Sequence, residues 1–268
     1  MPRIFADLRK NLYICRINLK PYEQMMRKIL FTIALILLPA TVLQAAIPDI
    51  KFRRLDTRDG LSNSQVLCVY RDTKGFVWIG TPYGLNRYDG YRMKTYYSNM
   101  RDTMTLRSNY IDAIYEDESG RLWLKQGMGY SLFDPKTEKC DRHPERLFEK
   151  LGVTGGIEYL HIDSRKEFWI KSYNDGLFHY RPQTKKLKCY RFGYGDQEFN
   201  SDIGVSSIAE TGDTVFISSN NGEILCFDRD RDVIFRKENY LRKNQLTHDQ
   251  DCKMRIDRQG NVWVITTP

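Results

Sequence analysis

The chain has little of what most enzymes carry at a reacting centre. It contains no Gly-x-Ser-x-Gly, no His-Glu-x-x-His and no phosphate-cradling glycine loop, which removes the local signatures of α/β-hydrolases, zincins and P-loop proteins. Its six cysteines include no Cys-x-x-Cys and no metal-ligand spacing. Beyond Cys15, the five others (Cys68, Cys140, Cys189, Cys226 and Cys252) are an odd number dispersed along the chain, so they define no disulfide framework. Cys68 and Cys252 sit in apolar runs and read as small core residues. An oxidising compartment leaves room for one disulfide, with no pair singled out. The sequence predicts neither a metal nor a cofactor.

Long apolar runs are scarce. The uncharged span from Ile29 to Ala46 has 18 residues and is broken by Pro39, which is marginal for a membrane helix. Arg27 and Lys28 precede it and Gln44-Ala45-Ala46 close it. A basic start, a short apolar core and small residues at the exit describe a secretory signal peptide over 25–46, predicted to be helical and cleaved after Ala45 or Ala46. An uncleaved anchor is the alternative. Residues 1–24 fit no signal pattern, and Met25 and Met26 stand just before the basic pair, so 1–24 read as a start-site artefact.

A strong charge of one sign is also lacking once this leader is set aside. The formal net charge is +8, and residues 1–28 carry seven basic against two acidic side chains, which leaves 8 − 5 = +3 for the remainder. That is no electrostatic footprint for nucleic acid, and none is expected to bind here.

What is present is a repeat. All four tryptophans occupy one place in a recurring phrase: Gly75-Phe76-Val77-Trp78-Ile79-Gly80, Gly120-Arg121-Leu122-Trp123-Leu124, Glu167-Phe168-Trp169-Ile170 and Gly260-Asn261-Val262-Trp263-Val264. Trp78 and Trp123 are 45 apart and Trp123 and Trp169 are 46 apart; Phe216 fills the gap before Trp263, 47 from each neighbour. Other parts share the period. An apolar run (Val66 to Tyr70) leads into Asp-x-x-Gly turns ending at Gly75, Gly120 and Gly260, where Asp bonds its own backbone and Gly supplies positive φ. The aromatic strand follows, then a second glycine-bearing turn, a third strand ending at Tyr88-Asp89, Phe133-Asp134, Tyr180-Arg181 or Phe227-Asp228, and a more polar fourth strand. Four short strands joined by turns make an antiparallel meander. Such a sheet needs neighbours on both faces, so the repeat predicts an all-β propeller with the aromatic wedged between blades, burying about 200 Å² each. Scattered core aromatics of an unrelated β-sandwich are the alternative.

The expected organisation is a partial propeller over 47–268, with repeats near 62–97, 108–140, 157–190, 203–235 and 250–268. Four are complete and the fifth stops after its aromatic strand, giving an open arc of about four four-stranded blades plus a half blade. Phe52-Arg53-Arg54-Leu55 is the candidate closing strand. The chain therefore reads as a fragment of a ring or the product of a broken reading frame, with poor solubility expected from exposed edges. A further stretch, His143 to Gly152, predicts a short helix with Leu147, Phe148 and Leu151 on one face and Gly152 as its stop, covering the rim.

The opening from Phe52 through Asp59-Gly60-Leu61-Ser62-Asn63, and the phrase Val66…Asp72…Gly75…Trp78-Ile79-Gly80-Thr81…Gly84-Leu85-Asn86-Arg87-Tyr88-Asp89-Gly90, closely resemble the two-component regulator propeller family. The second repeat keeps Asn109, Asp117, Gly120, Trp123, Gly129 and Phe133-Asp134. The third keeps Asp163, Trp169 and Asp175-Gly176-Leu177, with Lys166-Glu167 at the expected turn glycine. The fourth replaces the turn by Gly212-Asp213 and Trp by Phe216. The resemblance implies the periplasmic sensor region of hybrid two-component systems of Bacteroides-type bacteria. There, paired seven-bladed propellers and an immunoglobulin-like domain precede a membrane helix, histidine kinase, receiver and DNA-binding domain. It implies oligosaccharide ligands, control of polysaccharide-utilisation genes, and no enzymatic output from this part. Further blades, a kinase module and a homodimer partner are implied for a full-length relative, with membrane attachment only through the leader or a membrane helix outside this sequence.

In a four-stranded blade the second-to-third turns and the blade connections share one face, and the Asp-x-x-Gly turns lie on the other. The first face is richer in binding chemistry. Tyr83, Tyr110 and Tyr173 offer flat faces for sugar rings, and Asn109, Asn174 and Asn220 offer donors for hydroxyls. The structural alternative is that Asn serves the turns themselves and Tyr covers the sheet rim. Two other functions compete. A propeller glycosidase needs two carboxylates about 5–10 Å apart, and Glu158, Asp175 and Asp202 are the candidates; a lyase needs a Tyr or His base, but His161 and His179 read as packed or rim residues. An inert protein-interaction platform would use the same face.

Overall fold

A computed structural model describes residues 4–7, 12–15, 28, 52–173, 175–190, 204–220, 222–237, 252–257 and 259–266. The expected signal helix, apart from Lys28, lies outside these residues. The chain divides into two units, Met1–Arg54 and Leu55–Pro268. The first contains an antiparallel hairpin of β1 (Ile4–Asp7) and β2 (Leu12–Cys15). The second is a succession of antiparallel meanders.

Blade 1 is β3 (Cys68–Arg71), β4 (Val77–Thr81), β5 (Gly84–Tyr88) and β6 (Met93–Tyr96). Blade 2 is β7 (Ala113–Glu116), β8 (Leu122–Gln126), β9 (Gly129–Asp134) and β10 (Lys139–Asp141). Blade 3 is β11 (Ile157–Ile162), β12 (Phe168–Ser172), β13 (Leu177–Arg181) and β14 (Lys186–Tyr190). Blade 4 is β15 (Val205–Thr211), β16 (Thr214–Ser219), β17 (Ile224–Asp228) and β18 (Val233–Lys237). A final hairpin, β19 (Cys252–Ile256) with β20 (Val262–Thr266), begins blade 5. Within each blade every strand pairs with its neighbour in sequence. This is the propeller of four blades and a half that the repeat predicts. Residues 52–55, expected to form the closing strand, lie in no strand.

The wedge is observed at each blade junction. Trp78 is fully buried in a cluster with Ile111, Ile114, Leu122, Leu124 and Phe133 of blade 2. Trp123 packs with Leu160, Ile162, Phe168 and Ile170 of blade 3. Trp169 packs with Ile208, Val215, Ile217 and Phe227 of blade 4, and Phe216 with Met254 of blade 5. Ring edges meet ring faces: Trp78 on Phe133 at 5.8 Å and 69°, Trp169 on Phe227 at 4.9 Å and 70°, the geometry aromatic quadrupoles favour.

The Asp turn is a latch for the same ring. Asp72 Oδ1 accepts the backbone N–H groups of Lys74 and Phe76, while Oδ2 accepts the Trp78 indole N–H at 2.7 Å. Asp163 and Asp257 repeat the arrangement with Trp169 at 3.0 Å and Trp263 at 2.9 Å. The sequence phrase Asp-x₅-Trp is thus one hydrogen-bonded unit. Gly75, Gly120 and Gly260 take φ of +91°, +75° and +84°, as the turn requires, and Lys166 adopts +62° in the third repeat. Its Nζ reaches across to Glu116 Oε2 of blade 2 at 3.0 Å. In the fourth repeat Thr211 pairs with Thr214 across a two-residue Gly212-Asp213 hairpin, and Phe216 has no N–H to latch.

The second repeat departs from the rule. Arg121 Nε donates to Asp117 Oδ2 at 2.9 Å, and the buried Trp123 Nε1 has no partner. The expected helix is α1 (Arg146–Glu149), stopped at Gly152 with φ +99°. Phe148 does more than cover the rim: it is buried between blades 2 and 3, 5.4 Å from both Trp123 and Phe168. Leu147 is exposed instead of sharing that face, because the four-residue helix is too short to bury a full apolar stripe.

Candidate ligand-binding face

The entry segment anchors the first part of this face. Asp56 and Asp59 form a reciprocal cap around Thr57–Asp59, and the chain then runs through buried Leu61 to Ser62. Ser62 N–H donates to Asn86 Oδ1 at 2.9 Å, and Ser62 Oγ lies 2.8 Å from Thr81 Oγ1. Thr81 Oγ1 also accepts the Tyr83 N–H. This polar knot fixes the β4–β5 turn and leaves the Tyr83 ring 61% exposed. Ile111 N–H donates to the Thr81 carbonyl at 3.0 Å, so Tyr83 and exposed Tyr110 emerge from two backbone segments joined at the junction of blades 1 and 2. Gly80 permits the approach, since a Cβ there would stand 2.7 Å from the Ile111 carbonyl oxygen.

Asn109 is engaged in the loop itself: its Oδ1 accepts the Ser98 N–H at 2.6 Å. Asn220 does the same in blade 4, where its Oδ1 accepts Gly204 N–H at 3.1 Å. Asn174 and Asp202 lie outside the described residues.

A second polar group sits at the junction of blades 3 and 4. The register of β11 slips between Ile157 and Tyr159, and that of β15 between Val205 and Ser207. Such bulges re-aim a side chain. Glu158, the residue in the first bulge, meets the buried Lys171 ammonium at 3.3 Å. Lys171 Nζ also donates to the Ser172 and Asp175 carbonyls at 2.5 and 3.0 Å. A buried ammonium requires such partners, because desolvation alone would disfavour its charge. Gly204 lies against the carboxylate, where a Cβ would be 2.7 Å from Glu158 Oε1. Exposed Tyr173 covers Gly156 beside this group. The structure therefore brings Tyr173 and Asn220 near a Glu158–Lys171 pair. Residue spacing does not predict this pair, because its two members meet through a bulge. Of the three carboxylates considered for hydrolysis, Glu158 pairs with Lys171, Asp175 meets Lys171 through its backbone carbonyl while its own Oδ1 accepts the Gly176 N–H, and Asp202 lies outside the described residues.

The opposite face holds a different cluster. Arg229, almost fully buried, bonds Asp163 Oδ2 at 2.8 Å, Glu167 Oε2 at 3.0 Å and Glu210 Oε2 at 3.1 Å. His179 Nε2 lies 2.8 Å from Glu167 Oε2, and its ring stacks on Trp169 at 3.9 Å and 8°. Asp163, Glu167 and His179 are close enough to share a cation, and the Arg229 guanidinium already serves as that cation. His179 is thus a packed residue, and His161 lies edge-on to Tyr115 at 5.5 Å. Among the described residues, Cys68, Cys140 and Cys226 are free thiols, and no helix is long and apolar enough to cross a membrane.

The sheets, their order and their wedges define a β-propeller. Residues 60–83 and 105–124 match the family model described as two component regulator propeller, and the chain carries the repeats of that family. Histidine kinase P4 of Formosa agariphila is 34% identical over 76 residues, which are 28% of this chain and 6% of that protein. The extracellular domain of BT4673 from B. thetaiotaomicron, described in one structure as a one component system, aligns with a TM-score of 0.50 at 16% identity, over 77% of this chain and 33% of that one. In another structure it is described as a hybrid two component system and aligns with a TM-score of 0.48 at 15% identity, over 81% and 35%. The chain thus spans about a third or less of the length of these relatives, and the structural likeness is one of fold.

Proposed function

We propose that this chain is the N-terminal part of the extracytoplasmic, periplasmic ligand-sensing region of a hybrid two-component sensor, and that it recognises oligosaccharides. The regulator-propeller repeats at 60–83 and 105–124 carry this reading. The exposed tyrosines support the ligand class. Tyr83 and Tyr110 flank one blade junction and Tyr173 stands beside another, on the face where blade connections meet. Aromatic faces of this kind stack on the apolar sides of pyranose rings. The output belongs to a kinase module elsewhere in such a protein, with transcription of polysaccharide-utilisation genes as its result. The chain itself performs no chemistry.

Calorimetric titration with host-glycan and dietary-glycan oligosaccharides, with product analysis on the same samples, tests this. Heat of binding without cleavage is expected. Cleavage of any titrant would convert the reading to a carbohydrate-active enzyme, and silence toward the whole panel would leave a protein-interaction platform.

A further inference from the structure

The junction of blades 3 and 4 places two unlike polar atoms on the bare face of one glycine. Gly204 is buried at the entry to β15. A Cβ there would stand 2.7 Å from Glu158 Oε1 and 3.2 Å from Asn220 Nδ2. The two atoms are therefore no more than 5.9 Å apart, the sum of those distances. Glycine leaves the space over its Cα to whatever fits between them.

Each side chain is held by its other polar atom. Asn220 Oδ1 accepts the Gly204 N–H, which fixes the direction of the amide and leaves Nδ2 beside the glycine. Glu158 Oε2 is held by the buried Lys171 ammonium at 3.3 Å, itself fixed by the Ser172 and Asp175 carbonyls. Among the described residues, Glu158 Oε1 and Asn220 Nδ2 meet no hydrogen-bonding partner. Both side chains keep contact with solvent: Glu158 is 29% exposed and Asn220 is half-buried.

An acceptor and a donor at this spacing select their ligand. A hydroxyl donates to a carboxylate oxygen and accepts from an amide. With contacts of about 2.8 and 2.9 Å, one hydroxyl bridges a gap of this size. A carboxylate would meet Glu158 with like charge, and an ammonium has no lone pair to offer Asn220. Glu158 and Lys171 cancel in charge, so the pair draws no anion. Exposed Tyr173 lies over Gly156, two residues before Glu158, with Cδ2 3.7 Å from the place of a Cβ. Its ring suits the apolar side of a pyranose.

We propose that Glu158 Oε1 and Asn220 Nδ2 together hold one hydroxyl of a neutral sugar over Gly204, beside Tyr173, with Lys171 as the residue that positions the carboxylate. This subsite rests on the oligosaccharide-sensing reading and narrows it to neutral sugars.

Titration of the full chain with neutral cello-, manno- and xylo-oligosaccharides, and with oligogalacturonides, tests this. Binding is read by calorimetry and by the Asn220 side-chain amide resonance of nitrogen-15-labelled protein. A neutral sugar is expected to bind and to shift that resonance, with oligogalacturonides weaker by about tenfold or more. Glu158→Gln puts a second donor where an acceptor is needed, and Asn220→Asp does the reverse. Each is expected to weaken binding by about tenfold or more. Glu158→Gln keeps an oxygen for Lys171 and Asn220→Asp keeps one for the Gly204 N–H, so circular dichroism should stay unchanged. The wild-type resonance decides the matter even where a variant does not fold. A neutral sugar that binds without moving it, folded variants that bind as tightly as wild type, or a preference for oligogalacturonides would each overturn the subsite and leave the sensing reading standing. Neither heat nor shift with any titrant would overturn both.

Discussion

Asp163 and Arg229 are 66 residues apart in sequence and meet at 2.8 Å, where the Arg229 guanidinium shares Asp163 Oδ2 with the Trp169 indole N–H. One carboxylate therefore holds the wedge aromatic of blade 3 and a cation from the end of β17 in blade 4. Glu167 and Glu210 complete the cage. Arg229→Met would leave three carboxylates facing one another in a buried site. A loss of about 3–5 kcal/mol is expected, read as a lower urea midpoint. Arg229→Lys should restore little, because a single ammonium cannot reproduce the planar fork.

The unlatched Trp123 gives a comparison internal to the protein. Trp78→Phe removes an N–H that Asp72 accepts at 2.7 Å, whereas Trp123→Phe removes an N–H with no partner. The first is expected to cost about 1–3 kcal/mol more than the second. Arg121→Phe installs the residue found at the matching position Phe76 and frees Asp117 Oδ2 for the indole. Its melting temperature should rise, and a fall would show that the Arg121–Asp117 pair is worth more than the latch.

Acid should loosen the junction of blades 3 and 4. Burial, together with Arg181 and then Arg229, pushes the His179 imidazole from 6.5 down to about 3. The unfolded chain therefore binds a proton that the fold refuses as pH drops below 6.5. Stability is full above that value and declines through the window down to about 3. Glu167 is pushed upward by burial and by Asp163, which offsets part of the decline at the acid end. His179→Gln is expected to flatten the dependence of the urea midpoint between neutral and mildly acid buffer; an unchanged slope would remove His179 as its source.

The bulge at Glu158 predicts a separable effect on binding. Gly204→Ala would drive a methyl against the Glu158 carboxylate and displace it from Lys171. Oligosaccharide affinity is expected to fall while the melting temperature moves little. Tyr83→Ala and Tyr173→Ala should each weaken binding by about 1 kcal/mol, roughly fivefold, if the rings stack on sugar. Unchanged affinity in both would remove these tyrosines from the site.

The architecture was legible because its determinants are local and periodic. The Asp turn, its glycine and the aromatic lie within one hairpin, so Asp72 to Trp78 could be read as a unit before any partner was known. The candidate site was legible only in its surface chemistry. Tyr83 and Tyr110 follow from the meander's geometry. The Glu158–Lys171 pair depends on a register slip that no residue pattern announces, and Arg229 depends on contacts between blades. The amides of Asn109 and Asn220 close loops through Ser98 and Gly204, a use that composition does not distinguish from ligand binding. The lost latch of Trp123 turns on one arginine at the position of Phe76.

The claim beneath all of this is that each aromatic pins its own blade to the next. A double-mutant cycle on Trp78 and Phe133, whose rings are 5.8 Å apart across the first junction, measures it most directly. With Trp78→Leu and Phe133→Leu, a coupling of about 0.5–1.5 kcal/mol is expected. The same cycle on Trp263 and Phe133, which share no cluster, should give none. Strict additivity for Trp78 and Phe133 would contradict the wedge, and with it the placement of the ligand-binding face.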